Sequence, residues 1–299
     1  MKTQAFGIEI EFTGITREQV AQTIAVYFGT RIKYTGGAYG QYTVADNQGR
    51  KWQVMKDGSI RPEKKINGKL TAADDDYKVE VVSPKCNYED IETIQELVRK
   101  LRTAGARTNS SCGIHIHVDA ANHNARTLRN LVNLMASKED LIYKALEVDA
   151  GRMTRYCQKV DGSLVKDINR VKPDTIENLR TLWYKPYGGD GSCQHYHTSR
   201  YHGLNLHSVF SKGTVEFRLF NSTISHAGKI KAYIQFCLAV SHQAIVQKSA
   251  SPRKTATTNE KFTFRTWLLR LGLIGDEFKT ARLHLLAKLA GNSAWRYAA

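Results

Sequence analysis

No apolar run in this sequence approaches the roughly 20 residues that a membrane-spanning helix needs, so no membrane partner is expected. Paired cysteines are missing as well. Cys86, Cys112, Cys157, Cys193 and Cys237 are odd in number and widely spaced, and no CxxC occurs. Reduced thiols in a cytoplasmic protein are the simplest account of that usage. The opening MKTQAFGIEIEF enters a strand-like pattern without the apolar stretch of a secretory signal. A Walker A sequence is also absent, which excludes a P-loop NTPase. Gly36, Gly37 and Gly40 sit close together but match no phosphate-loop spacing, so they read as a turn. Acids are scarce: 28 Asp and Glu against 44 Lys and Arg leave a formal net charge of +16. Such a surface attracts polyanions, and ATP, nucleic acid and acidic peptides all qualify.

What is present is enough for a sizeable core, since 41% of the 299 residues are hydrophobic. Residues 5–14 alternate as a strand, with Phe6, Ile8, Ile10 and Phe12 on one face and Glu9 and Glu11 on the other. Thr16 caps a helix running to about Phe28, with Gln19 at the reciprocal capping-box position. A Gly- and Tyr-rich stretch over 34–42 leads to a strand pair ending in Trp52, Gln53 and Val54, and Lys56 to Ser59 reads as a turn. Residues 78–83 form a strand presenting Glu80, and 88–104 an amphipathic helix with Ile91, Ile94, Leu97, Val98 and Leu101 as its stripe. A strand over 113–119 precedes a long helix over 125–148. Residues 203–210 and 214–220 read as a hairpin around Ser211, Lys212 and Gly213, followed by a buried helix over 229–246.

The expected class is α+β, with helices on one face of a mainly antiparallel sheet. The domain expectation is a catalytic domain over 1–247, a linker over 248–260 and a helical C-terminal segment over 261–299. Within the first, residues 150–200 read as a basic, partly helical insertion able to cover a site.

Residue type on the strand faces points to chemistry. An ordinary wet sheet face carries Thr, Ser, Lys and mixed charges. Here the faces carry Glu9 and Glu11, then Glu80, then His115, His117 and Asp119, then Glu216 and Arg218, with Asn205 and His207 from the expected hairpin partner. Neighbouring carboxylates repel across a sheet and call for cations between them. Carboxylate oxygens suit Mg²⁺ or Mn²⁺, and one imidazole is compatible with either; His115 and His117 fit that place equally well. Two or three such ions would neutralise the phosphates of a nucleotide, and Arg218 beside them would stabilise a transferring phosphoryl group.

The ordered motifs FGIEIEF, DGS at 57–59, VEVVSP at 79–84, CGIHIHVD at 112–119, RYHGLNL at 200–206 and TVEFRLF at 214–220 resemble the amidoligase family. The tail FRTWLLRLGLIGDEF at 264–278 is similar to the end of such proteins, so the resemblance covers nearly the whole chain. It implies a sheet of the glutamine synthetase-like type and an ATP-dependent carboxylate–amine ligase working through an acyl phosphate. By resemblance, Glu9 and Glu11 serve different metal ions, Glu80 completes one, and His115 or His117 completes the other together with Glu216. Arg218 would contact the phosphoryl group. Asp57 is the candidate for orienting or deprotonating the amine, with turn capping as its ordinary role. Asn205 and Arg200 are candidates for holding nucleotide or substrate. The substrates would be a small-molecule or peptide amine and carboxylate, and the basic insertion leaves room for a polyanionic acceptor, nucleic acid or acidic peptide.

Two other readings use the same residues. His115, His117 and Asp119 form the HxHxD of zinc hydrolases, although Ala120 stands where the metallo-β-lactamase version has a histidine. The net charge and 14 tyrosines are compatible with a non-catalytic nucleic-acid-binding protein, although no known binding motif occurs. Cys112, beside the histidine strand, reads as a structural apolar cysteine rather than a nucleophile.

Overall fold

The computed structural model describes residues 1–295. Among the described residues the strands are β1 (Phe6–Phe12), β2 (Ile32–Gly36), β3 (Gln41–Ala45), β4 (Lys51–Met55), β5 (Glu63–Ile66), β6 (Lys69–Ala72), β7 (Val79–Val82), β8 (Gly113–Asp119), β9 (Leu204–Asn205) and β10 (Thr214–Asn221). Eight form one mainly antiparallel sheet in the order β2-β3-β4-β7-β1-β8-β10-β9, and β5 and β6 pair separately. The helices are α1 (Arg17–Phe28), α2 (Asp90–Thr103), α3 (Ala125–Ala145), α4 (Ala150–Arg155), α5 (Gly162–Val171), α6 (Ile176–Tyr184), α7 (His207–Lys212), α8 (Ala227–Val246), α9 (Glu260–Arg270) and α10 (Lys279–Leu286). Among the described residues, no helix is long and apolar enough to cross a membrane.

The chain divides into two compact units. The first comprises Ala5–Ile116 and Phe220–Lys231; the second comprises Met1–Gln4, His117–Leu219 and the chain from Ala232 onward.

In the first unit, β1 buries Phe6, Ile8, Ile10 and Phe12, as its alternation predicts. Thr16 caps α1 in a complete capping box with Gln19, and Gly29 ends the helix in the left-handed conformation at φ 66°. The apolar stripe of α2 is buried in full. Arg17, only 8% exposed, ion-pairs with Asp76 at 2.7 Å and donates to the Lys78 carbonyl at 3.2 Å, which fixes the entry into β7. Antiparallel pairing of β1 with β7 sets Glu11 directly opposite Glu80.

The expected strand pair ending in Trp52, Gln53 and Val54 is β3 with β4. A further strand that was not expected, β2, runs into the Gly- and Tyr-rich stretch, so β2, β3 and β4 form a three-stranded meander. The side chains of β2 are mostly exposed, which removes the apolar alternation that marks a strand. The β5–β6 hairpin was not expected at all. It turns through Asn67 and Gly68, both at positive φ (49° and 78°).

The second unit corrects the hairpin around Ser211. The strand β9 stops at Asn205, and α7 occupies 207–212 before β10 begins. The physical cause is local: the Asn205 side chain accepts from the His207 N–H at 2.9 Å, which turns the chain out of the strand. Gly213, at φ 73°, then closes α7 with its N–H on the Ser208 and Val209 carbonyls. His207 therefore opens a helix instead of extending the polar face of a strand. The pairing of β9 with β10 survives and places Asn205 opposite Glu216.

The insertion folds as α4, α5 and α6, each capped at its N-terminus by the side chain of Asp149, Asp161 or Thr175. The expected linker lacks helix and strand over 248–259, with α9 starting at Glu260, and it lies against α3: Ala250 N–H donates to Asn130 at 3.1 Å and Thr255 N–H to the Ser137 carbonyl at 3.0 Å. All five cysteines are free thiols.

Candidate active site

The first unit holds one cluster. Glu9 and Glu11 alternate with the buried apolar residues of β1, Glu80 projects from β7, and His115 from β8. His115 Nδ1 meets a Glu9 carboxylate oxygen at 2.9 Å, and Nε2 lies 3.7 Å from Glu11. The other Glu11 oxygen accepts the Gly113 N–H at 2.5 Å. Ser222 Oγ donates to the Glu11 carbonyl at 2.5 Å, which holds the residue from its backbone side. Glu11, Glu80 and His115 each offer one ligand atom, and these atoms all lie within 4.8 Å of one another.

That geometry has an electrostatic cost. Two carboxylates at such a separation repel by on the order of 3 kcal/mol at an effective dielectric of about 20. Burial adds to it, because Glu11 is 3% and Glu80 9% exposed. A divalent cation between them would offset both terms. Two carboxylate oxygens and one imidazole nitrogen form a donor set suited to Mg²⁺ and still better to Mn²⁺, so the residues fit the ion that the sequence calls for.

The second unit holds the other cluster. Glu216 is 3% exposed and accepts from Arg218 Nη1 at 2.5 Å on one oxygen and from Asn205 Nδ2 at 2.6 Å on the other. His117 Nε2 lies 3.7 Å from the oxygen that Arg218 holds. On its far side, His117 Nδ1 shares a hydrogen bond with the Thr214 hydroxyl at 3.0 Å, and Thr214 in turn meets Ser208 at 2.8 Å. Arg218 Nε also donates to the Tyr156 carbonyl at 3.4 Å, and Arg152 Nη2 to the Arg218 carbonyl at 3.1 Å. The insertion thus backs Arg218 from two of its residues.

His115 and His117 are two residues apart on β8 and share a strand face. The structure sets His115 against Glu9 and Glu11, and His117 against Glu216. The remaining candidates have local bonds. Asp57 Oδ1 accepts from both the Ser59 N–H and its hydroxyl at 2.6 Å, as a turn residue does. Arg200 donates to the His195 carbonyl at 3.2 Å and lies over the Tyr196 and Tyr201 rings. Asp119 Oδ1 accepts from the Ala121 N–H at 2.9 Å.

Sequence reasoning did not single out Gly113, Thr214, Ser208, Ser222 or Tyr156 as supports of the site. Two of them act through backbone atoms, which carry no residue-type signal. Nor did it find the pair formed by Tyr184 and His207, whose hydroxyl and Nδ1 lie 2.5 Å apart between the insertion and α7. Burial holds the His207 imidazole below its usual range, with His197 and Arg200 adding to the effect.

Residues 2–241 match the family model described as "Putative amidoligase enzyme". The chain belongs to the amidoligase family. No curated protein matches it. The matched stretch contains both clusters, the insertion and all ten strands, so the residues described above lie inside the family region. Membership makes the protein a ligase-type enzyme of the amide-forming kind, and the residues from 242 onward lie outside the match.

Proposed function

We propose that this amidoligase joins a carboxylate to an amine at the expense of ATP, through an acyl phosphate. The observation that carries the reading is the convergence of Glu11, Glu80 and His115 from three strands onto one point suited to a divalent cation. In this reading Glu9, Glu11, Glu80, His115, His117 and Glu216 are the metal-facing residues, and the sheet is of the glutamine synthetase-like type. Bound Mg²⁺ or Mn²⁺ would neutralise the nucleotide phosphates.

The chain's own groups then have defined tasks. A substrate carboxylate oxygen attacks the γ-phosphorus of ATP, and the P–O bond to ADP breaks with its electron pair. Arg218 offers its guanidinium to the oxygens that gain charge, and a planar fork suits a phosphoryl group. Glu216 holds that fork at 2.5 Å, and Asn205 holds Glu216 at 2.6 Å. Such preorganised donors do not have to reorient as charge develops. The amine nitrogen next attacks the acyl carbon, phosphate departs, and the nitrogen gives up a proton, for which Asp57 is the proposed base. Asn205 and Arg200 are the proposed contacts to nucleotide or substrate. The substrates are a small-molecule or peptide amine and carboxylate, with a polyanionic acceptor as the variant that the basic insertion favours, and the setting is the cytoplasm.

ADP release in the presence of Mg²⁺, measured against a panel of amines and acids, tests the reading. Glu216→Gln keeps size and one hydrogen bond but removes the charge that holds Arg218. Turnover should fall by about three orders of magnitude or more, as expected for loss of a transition-state contact held in place, while circular dichroism stays unchanged. Full turnover in this variant would remove Glu216 from the mechanism.

A further inference from the structure

A cavity lies within the second unit, apart from the residues assigned above. Lys138 of α3 and the chain over 256–270 wall a groove of about 700 Å³. Residues 256–270 fall beyond the stretch that matches the amidoligase family. Lys138 and Arg270 supply two cations and Trp267 an aromatic wall; the Thr258 hydroxyl lines the groove too, as do those of Thr257, Thr263 and Thr266, which already bond to the Asn259 carbonyl, to Thr257 and to the Phe262 carbonyl. No carboxylate lines the groove among the described residues.

The nearby acids are engaged elsewhere. Glu260 pairs with Lys144 at 2.7 Å, Asp140 with Lys159 at 2.5 Å, and Glu139 accepts the Val160 N–H at 2.7 Å. Lys138 Nζ donates to the Thr255 hydroxyl, a neutral partner. Partial burial holds the Lys138 ammonium below its usual range, and the neighbouring Arg270 charge adds to that shift. Two like charges, a part-buried Lys138 and an exposed Arg270, face one polar cavity, and an anion between them would offset their repulsion. A tetrahedral oxyanion has enough acceptor oxygens to satisfy a guanidinium fork, an ammonium and a threonine hydroxyl together. The groove is far larger than a single phosphate and falls in the size range of small-molecule sites.

We propose that this groove binds a phosphate group, free or carried as a monoester on a small molecule, between Lys138 and Arg270. The site is independent of the ligase chemistry.

The full-length protein tests it by ³¹P line broadening with inorganic phosphate, and by thermal unfolding in phosphate against chloride at matched ionic strength. Glucose 6-phosphate is the second probe. Phosphate should broaden and should raise Tm above the chloride control. Arg270→Glu and Lys138→Gln should each weaken phosphate binding at least tenfold. Arg270→Glu should also raise Tm in phosphate-free buffer, because it sets an acid beside Lys138. Ligase turnover should be retained in both variants. Tighter binding of glucose 6-phosphate would assign the site to monoesters, and equal binding would assign it to free phosphate. Phosphate affinity that is the same in wild type and in both variants, or no phosphate effect in wild type, would overturn the proposal.

Discussion

The two clusters handle buried carboxylates in opposite ways. In the first unit, Glu11 and Glu80 face each other across β1 and β7, and His115 offers a nitrogen within reach of both. In the second, Glu216 has Arg218 on one oxygen and Asn205 on the other. The second cluster pairs its carboxylate with a guanidinium, whereas the first sets two carboxylates and an imidazole around one point. The lesson is that the carboxylate itself does not tell its role. The neighbours on the adjacent strands do, and for Glu216 the neighbour is the residue two places along its own strand.

The comparison predicts opposite signs for single substitutions, and the largest effect belongs to the second cluster. Arg218→Met leaves Glu216 buried without its cation, so stability should fall by about 3–5 kcal/mol. Denaturant unfolding of the metal-free protein measures this. A loss under 1 kcal/mol would mean that the pair contributes little and that the contrast is false.

Next in size is a pH effect that has to be separated from both clusters. Burial pushes the His123 imidazole down to about 4 from 6.5. Its nitrogens meet the Thr127 and Ser241 hydroxyls at 3.1 and 3.0 Å. Below pH 6.5 the unfolded chain takes up a proton that the folded chain refuses until about pH 4. The stability present above pH 6.5 is therefore lost as pH falls toward 4, by roughly 3 kcal/mol at most. Chemical denaturation across that range should show this decline in wild type and a shallower one in His123→Gln. Identical slopes would show that the acid response originates elsewhere, the carboxylate clusters included.

The smallest effect has the opposite sign to the first. Glu80→Gln removes one of two facing charges, so the metal-free protein should gain about 1–3 kcal/mol. Denaturant unfolding in chelator reads it directly. A destabilised Glu80→Gln protein would place the two clusters in one class and end the contrast.

Much of this arrangement was legible in the sequence, because strand alternation assigns a face to each residue. Glu9, Glu11, Glu80, His115, His117, Glu216 and Arg218 all stand on the elements and faces that their spacing predicts. The capping box at Thr16 and Gln19 was legible for the same reason: its chemistry is local. The failures have local physical causes. The edge strand β2 exposes its side chains, so it has no apolar alternation to detect. The β5–β6 hairpin is mostly exposed too, yet Asn67-Gly68 is the dipeptide that favours such turns and was available as a signal. The first arm of the hairpin at 203–220 was read too long, taking apolar residues as strand where the Asn205 side chain turns the chain into α7. That His115 meets Glu9 while His117 lies beside Glu216 was out of reach, because residue spacing places both histidines on one face and only the neighbouring strands say what each one meets.

The central claim is that Glu11, Glu80 and His115 hold a divalent cation. Mn²⁺ titration followed by electron paramagnetic resonance, in wild type and in Glu80→Gln, tests it most directly. The account predicts saturable Mn²⁺ binding in wild type and an affinity at least tenfold weaker in the variant. The same affinity and stoichiometry in both proteins would contradict it.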